Sequence, residues 1–425
     1  MRILLVYVLT EKINMPVLPL GTACLAAALE KAGHECLCVN AGPGFSDGLK
    51  SAAASFSPDA TGVSVRNVDD QNPTAPVFLM DQARDVVREL KALTRAPVVA
   101  GGAGFTMFAK EALEYIGADY GVAGEGETVL PRLLSCLENG GDPSEIPGVL
   151  VAGKARDSSI TAEKCLDAFP LPLPGVHLAV PADWRGPELF VPVQTRRGCA
   201  MDCSYCSTAS IEGRRLRRRS PLLVAENLEK FVEAGFDRFF FVDNTFNLPP
   251  SYAHALCDAI IDRDLSIEWR AIVYPRRIRE ALVLKMARAG CREVSLGFET
   301  GSPSMLKRYN KRFTLDDIRE ASRLFALHGV RRLGFLLLGG PGETRQTVLE
   351  SLDFADSLAP EALKVTCGVR VYPGTLLESQ ARAEGFLPPE GGLLHPAFYL
   401  APNLSGWLPK TVRKWAETRP WVIPS

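Results

Sequence analysis

The chain has 425 residues, 47% of them hydrophobic, and a formal net charge of −1. This length predicts two or three domains, each with its own core. The near-neutral charge argues against a general attraction to nucleic acid, so we expect no nucleic-acid partner. Eleven cysteines without a secretory signal predict a reducing, cytoplasmic compartment. No apolar run reaches the length of a bilayer, so we expect no integral membrane segment.

Residues 1–150 alternate short apolar segments with helical patterns. The predicted strands are Arg2–Val8, Glu35–Asn40, Ala60–Val65, Ala96–Ala100 and a short one at Asp119–Val122. The predicted helices include Gly21–Lys31, Phe78–Leu93 and Glu127–Glu138. This alternation predicts a Rossmann-like, open and mostly parallel sheet. Ligands of such sheets bind at the carboxyl ends of the strands.

Glycine-rich and polar turns fall at these strand ends. They are Pro16–Gly21, Ser64–Asp70, Gly101–Phe105 and Gly124–Glu127. The segment Gly101–Gly104 does not match the spacing G-x-G-x-x-G, so a dinucleotide site is only weakly supported. Composition alone leaves open that the turns merely permit tight packing.

Residues 151–190 are predicted to be a linker. Pro170, Pro172, Pro174 and Pro181 give this stretch a proline density that argues against regular structure. We expect it to cross the surface between the two larger domains.

A short loop then places Cys199, Cys203 and Cys206 in the spacing C-x3-C-x2-C. The nearest histidines are His177 and His254, so no fourth ligand is close in sequence. Three thiolates on one loop can bind three irons of a cubic iron–sulfur cluster and leave the fourth iron open. A structural zinc site, which normally has four protein ligands, and reduced thiols without a metal are the alternatives.

With the aromatic Tyr205 before its third cysteine, this loop resembles the cluster loop of the radical S-adenosylmethionine (SAM) superfamily. The resemblance implies a 4Fe-4S cluster whose open iron chelates the amino and carboxylate groups of SAM. It also implies that one electron cleaves SAM to a 5′-deoxyadenosyl radical. An external electron donor of the flavodoxin or ferredoxin type would supply that electron.

Residues 191–375 again alternate strands and helices. The predicted strands are Phe190–Gln194, Arg238–Asp243, Glu268–Ile272, Glu293–Phe298, Arg332–Leu338 and Ala362–Val371. About six β/α units predict a partial (β/α)6 TIM-like barrel, as the resemblance also implies. Residues 376–425 are predicted to form a small helical cap.

The same resemblance assigns SAM contacts to polar and glycine residues at the strand ends of this barrel. These residues are Asp243, Asn244, Glu299, Gly339 and Gly340, together with Tyr205 of the loop. Five arginines lie between Gly213 and Ser220. They favour neutralisation of an anion near the cluster by Arg217 or Arg219 over binding of nucleic acid, and Arg219 is the predicted SAM contact.

The turns of the first domain resemble the cobalamin-binding domain that precedes the radical SAM domain in one subgroup. The implied cobalamin contacts are Leu20, Gly21, Ser64, Arg66, Asn67, Gly101, Gly102, Gly104, Gly124, Glu125, Gly126 and Glu127. The aspartate-x-histidine-x-x-glycine segment of many cobalamin proteins does not occur here. We therefore expect no histidine below the cobalt and place Arg66 or Asn67 nearest to it, with a plain salt bridge of Arg66 as the alternative.

Together these features predict a cobalamin-dependent radical SAM methyltransferase. The enzyme is expected to methylate an unactivated carbon atom, and the expected substrate is a small molecule, a lipid or a natural-product intermediate. A cyclase, oxidase or ring-rearranging enzyme with the same cofactors is the alternative. A radical SAM enzyme without cobalamin and a non-catalytic sensor remain open, and no catalytic side chain is identified.

Overall fold

The computed structural model describes residues 1–8, 18–42, 44–154, 162–178, 186 and 188–423. Two largely parallel sheets with intervening helices confirm the predicted α/β fold. Parts of the predicted linker and of the predicted turn Pro16–Gly21 lie outside the described residues. Within the described ranges, no helix combines the length and apolar character needed to cross a membrane.

The first sheet has six strands in the order β2-β1-β3-β4-β5-β6. These strands are β1 (Arg2–Tyr7), β2 (Glu35–Asn40), β3 (Ala60–Ser64), β4 (Val98–Gly101), β5 (Tyr120–Val122) and β6 (Val149–Val151). All neighbouring strands are parallel except β5 and β6. Strands β1 and β3 are buried along nearly their whole length, as expected for central strands covered by helices on both faces.

Helices pack on both faces of this sheet. They are α1 (Leu20–Lys31), α2 (Ser46–Phe56), α3 (Met80–Leu93), α4 (Ala103–Met107), α5 (Ala109–Ile116) and α6 (Gly126–Glu138). Helix α3 buries Met80, Ala83, Val87 and Leu90, whose spacing of three or four residues puts them on one face. Gly33, just after α1, has a φ of +88°, which a glycine adopts without strain.

The second sheet has seven strands in the order β17-β14-β13-β12-β11-β10-β7, and all neighbours are parallel. These are β7 (Val191–Val193), β10 (Arg238–Phe241), β11 (Glu268–Val273), β12 (Cys291–Glu299), β13 (Arg331–Leu338), β14 (Ala362–Cys367) and β17 (Val422–Ile423). Six of them match the predicted barrel strands. The seventh, β17, comes from the tail that was predicted to be helical.

The remaining elements surround this sheet. The helices are α7 (Thr208–Glu212), α8 (Pro221–Glu233), α9 (Pro250–Asp262), α10 (Glu280–Arg288), α11 (Pro303–Arg308), α12 (Leu315–Leu327), α13 (Arg345–Leu358), α14 (Leu376–Ala383) and α15 (Leu408–Ala416). Two short antiparallel pairs join β8 (Arg196–Arg197) to β9 (Arg217–Arg218) and β15 (Val369–Arg370) to β16 (Phe398–Tyr399). A capping box between Thr314 and Asp317 opens α12.

Candidate active site

The cysteine loop begins where β7 ends, and a buried carboxylate anchors its base. Asp243 has no exposed surface and accepts hydrogen bonds from the backbone of Thr195 at 2.8 Å and of Arg196 at 3.1 Å. Burial raises the pKa of Asp243, while the Arg196 guanidinium opposes that rise. Asp243 therefore holds the chain that leads into the loop, and a contact with SAM stays a prediction.

The three loop thiols differ in exposure. Cys199 and Cys203 are partly buried, whereas Cys206 is exposed. Burial raises the pKa of Cys199 and Cys203, and the neighbouring thiols raise it further. Gly198 has a φ of +89°, and a Cβ there would lie 2.2 Å from the Arg215 carbonyl oxygen. Only glycine allows this approach between the loop and the arginine segment.

A lysine joins Tyr205 and Glu299 beside the loop. The Lys311 Nζ lies 3.2 Å from Glu299 Oε1 and 5.2 Å from the centre of the Tyr205 ring. Burial favours the neutral amine, yet Glu299 and Cys203 raise the pKa of Lys311. Glu299 itself adopts a φ of +64°, an uncommon conformation for a residue with a side chain. The structure thus brings two predicted SAM contacts together around a lysine that sequence reasoning missed.

The glycine-rich segment after β13 folds around its own glutamate. One oxygen of Glu343 accepts hydrogen bonds from the backbone N–H groups of Gly339 and Gly340. A Cβ at Gly340 would lie 2.3 Å from the Tyr309 hydroxyl, so a side chain cannot be placed there. Burial raises the pKa of Glu343 to about 7.

The arginine block divides into buried and exposed members. Arg214, Arg215 and Arg218 are exposed, whereas Arg217 and Arg219 are buried. Arg219 donates hydrogen bonds to the carbonyl oxygens of Leu166 and Phe169, both at 2.8 Å. It therefore holds the linker segment in place, and a contact with SAM stays a prediction.

A cavity of about 210 Å³ lies where the two domains meet. Eight of the twelve predicted cobalamin contacts line it: Gly21, Ser64, Gly101, Gly102, Gly124, Glu125, Gly126 and Glu127. Leu20, Arg66, Asn67 and Gly104 are not among its lining residues. Arg66 is exposed, and the backbone of Gly104 packs against the carbonyl groups of Arg66 and Asn67.

The second domain closes this cavity with Gln194, Arg197, Ile211 and Glu212. Arg197 forms buried ion pairs with Glu127 at 2.5 Å and with Glu125 at 3.2 Å. Glu125 also pairs with Arg217 at 2.5 Å. Burial of the Glu127 carboxyl group raises its pKa, but the Arg197 guanidinium has the opposite effect, and the pKa of Glu127 is lowered. The turn at Gly124–Glu127 is thus tied to β8 and β9, the strands that flank the cysteine loop.

Glu212 connects the cavity to the cysteine loop. One oxygen accepts hydrogen bonds from the Gly198 backbone at 2.9 Å and from the Asn244 side chain at 2.8 Å. The other oxygen accepts one from Gln194 at 3.0 Å. Burial raises the pKa of Glu212. Sequence reasoning did not single out this residue, since nothing in its local pattern marks it as buried.

Two family models match the two halves of the chain. The B12 binding domain model matches residues 6–134, and the Radical SAM superfamily model matches residues 193–355. The first range holds most of the cavity wall, and the second holds the cysteine loop and its neighbours. The chain is a radical SAM enzyme with a B12 binding domain ahead of its radical SAM domain. This result confirms the predicted family and its cofactors, a 4Fe-4S cluster, SAM and cobalamin.

Known proteins similar to this radical SAM enzyme include a tryptophan 2-C-methyltransferase from Streptomyces laurentii. The two are 26% identical over 429 residues, covering 85% of this chain and 72% of the relative. An anaerobic magnesium-protoporphyrin IX monomethyl ester cyclase from Rubrivivax gelatinosus is 27% identical over 283 residues, covering 62% of this chain and 49% of the relative. The structure of the methyltransferase TsrM from Kitasatospora setae, with tryptophan and a SAM analogue, has the same fold. It superposes with a TM-score of 0.85 at 23% identity, covering 99% of this chain and 90% of that one.

The residues of the enzyme fit these cofactors. Six of the cavity-lining residues are glycines, which let a large ligand approach the backbone: Gly21, Gly62, Gly101, Gly102, Gly124 and Gly126. At Gly21 a Cβ would meet nothing within 4 Å. Among the described residues, no group of three histidine, cysteine, aspartate or glutamate side chains is arranged to bind a single metal ion. The cysteines of a cubic cluster bind separate irons, so their thiols do not need to converge in this way.

Proposed function

We propose that this enzyme transfers a methyl group to an unactivated carbon of a small molecule, a lipid or a natural-product intermediate. The observation that carries the proposal is the cavity shared by the two domains. Its wall includes Arg197, two residues before Cys199, and Glu212, which is bonded to Gly198. A cobalamin bound there would therefore lie next to the cysteine loop. The similarity to a tryptophan 2-C-methyltransferase supports methyl transfer.

The roles of the chain's own residues follow from this arrangement. Cys199, Cys203 and Cys206 would hold the cluster, and the glycine-lined wall would hold cobalamin. SAM would be held by Tyr205, Asn244, Glu299, Gly339 and Gly340. When bound, the cluster and SAM supply a radical that removes a hydrogen atom, and cobalamin supplies the methyl group.

Product analysis of the reconstituted enzyme tests this function. One methylation at a C–H carbon consumes two SAM molecules and two electrons from an external donor. It releases methionine and 5′-deoxyadenosine from one SAM and S-adenosylhomocysteine from the other. We expect both nucleoside products when the protein, loaded anaerobically with iron, sulfide and hydroxocobalamin, is given SAM and a reductant.

A cysteine variant provides the control. Cys203→Ala should lose the brown cluster absorbance and the 5′-deoxyadenosine, because one iron loses its thiolate.

The similarity to a magnesium-protoporphyrin ester cyclase favours cyclisation as the second candidate function. Formation of 5′-deoxyadenosine without S-adenosylhomocysteine would point to that reaction. Absence of both products, with no cobalamin bound, would refute the proposal.

A further inference from the structure

Lys311 is a buried cation next to the cysteine loop. Its side chain is 6% exposed and lies on the segment between α11 and α12. The Nζ is 5.2 Å from the centre of the Tyr205 ring and 5.9 Å from that of Phe313. Aromatic faces carry a partial negative charge, so both contacts favour the ammonium form. The Glu299 carboxylate at 3.2 Å does the same.

The two neighbours of Lys311 along the chain fasten it to this place. The Asn310 side chain donates a hydrogen bond to the Asp202 carbonyl oxygen at 3.2 Å. The Arg312 guanidinium donates one to the Asp202 side chain at 2.9 Å. Asp202 directly precedes Cys203. Lys311 is therefore held against the cysteine loop by contacts on both sides that do not use its own charge.

We propose that Lys311 raises the reduction potential of the iron–sulfur cluster and that Glu299 sets the size of this effect. A cluster gains negative charge when it accepts an electron, and a nearby cation stabilises that charge. Charges interact strongly across a partly buried site because little water screens them. The charge around a cluster and its exposure to solvent are recognised determinants of its potential. Glu299 opposes the lysine because its carboxylate partly cancels the same field.

The proposal predicts opposite effects for the two members of the ion pair. In Lys311→Met the reduction potential of the cluster should fall. At a fixed applied potential the ratio of reduced to oxidised cluster should then drop about tenfold, which corresponds to ~59 mV for one electron. In Glu299→Gln the uncancelled ammonium should raise the potential. A loosened loop would not move the two variants in opposite directions.

The measurement is a redox titration of the reconstituted holoenzyme before SAM is added. The reduced cluster is followed by electron paramagnetic resonance, so the readout does not require activity. Lys311→Arg keeps the charge and should stay close to the parent. Lys307→Met removes an exposed charge on α11 and should leave the potential unchanged, since water and salt screen it.

Several outcomes would overturn the proposal. The proposal is refuted if the cluster in Lys311→Met has the same reduction potential as the cluster in the parent. It is also refuted if the potential shifts equally in Lys311→Met and Lys307→Met. If Lys311→Met does not hold a cluster, the Glu299→Gln titration decides, and a shift that is absent or negative refutes the role. The proposal depends on the cluster and not on methyl transfer. A failed search for methylated product therefore leaves it intact.

Discussion

The carboxyl group of Glu343 is buried without an ion-pair partner among the described residues. It is 1% exposed, and its second oxygen has no hydrogen-bond partner there. Burial raises its pKa from 4.5 to about 7. The folded state thus favours the protonated form, and the stability gained below pH 4.5 is lost as the pH rises through 7. The side chain in Glu343→Gln resembles the protonated acid and does not titrate. As the pH rises from 5.5 to 8, the parent should therefore lose ~2 kcal/mol of folding stability relative to this variant.

Thermal unfolding of both proteins at the two pH values measures this gain. Glu417→Gln serves as the control, since Glu417 is an exposed glutamate on the surface of the same domain. Its unfolding midpoint should follow that of the parent at every pH. A parallel pH response of the parent and Glu343→Gln would show that the Glu343 carboxyl does not titrate as expected.

The sequence identified side chains by local pattern, but it could not identify their partners. The cysteine spacing and the glycine turns predicted a loop and a cavity that the fold places side by side. Glu125 and Glu127 were predicted to contact cobalamin, and they do line the cavity. Their ion pairs with Arg197 span about 70 residues of chain and leave no local signal. Lys311 and Glu212 were missed for the same reason, because only tertiary packing buries them.

At the scale of elements, strong periodicity was predictable and weak periodicity was not. The long apolar strands β10–β14 matched their predicted positions closely. Helix α2 was missed because its only large apolar residues are Leu49 and Phe56, and the small residues around them do not mark an apolar stripe in the sequence. Strands β6 and β17, of three and two residues, are too short to show an alternation of side chains.

The ion pair between Arg197 on β8 and Glu127 is expected to affect cobalamin binding. Arg197 on β8 reaches Glu127 across the domain boundary, and both side chains are largely buried. Arg197→Met would leave the Glu127 carboxylate buried without this partner, which typically costs 3–5 kcal/mol. We expect the cavity wall to relax and the dissociation constant for hydroxocobalamin, measured by absorbance titration, to rise at least ~10-fold.

An exposed arginine provides the comparison for this experiment. Arg88 pairs with Asp85 on α3, where its side chain is 77% exposed. Such surface pairs contribute at most ~1 kcal/mol, so Arg88→Met should bind hydroxocobalamin like the parent. Equal affinities for Arg197→Met and Arg88→Met would mean that the ion pair does not shape the cavity.

At the scale of the whole molecule, the carboxyl ends of the two sheets face each other. Gly124–Glu127 follows β5 and pairs with residues that follow β7. Asp69 follows β3 and pairs at 2.8 Å with Arg370, which follows β14. Parallel sheets bind ligands at these ends, so this arrangement turns two separate binding edges into one shared site. The domain order was predictable from sequence, whereas the buried ion pairs that join the domains were not.

The Asp69–Arg370 pair tests whether the domains behave as one unit. Asp69 is 3% exposed, and Arg370 also donates hydrogen bonds to the carbonyl oxygens of Val371 and Leu393. Either Asp69→Asn or Arg370→Met should destabilise the protein by ~3 kcal/mol, because each leaves a buried group without its partner. The double variant should lose clearly less than the sum, since both changes remove one interaction.

Unfolding followed by circular dichroism distinguishes an interdomain contact from a local one. If the pair couples the domains, the single variants should unfold in two separated transitions where the parent shows one. Asp70→Asn alters the exposed neighbour in the same loop and should keep the parental transition. Strictly additive losses in the double variant would contradict the coupling. A single shared transition in all variants would mean that the other ion pairs between the domains, those of Glu125 and Glu127, are sufficient to hold the two sheet edges together.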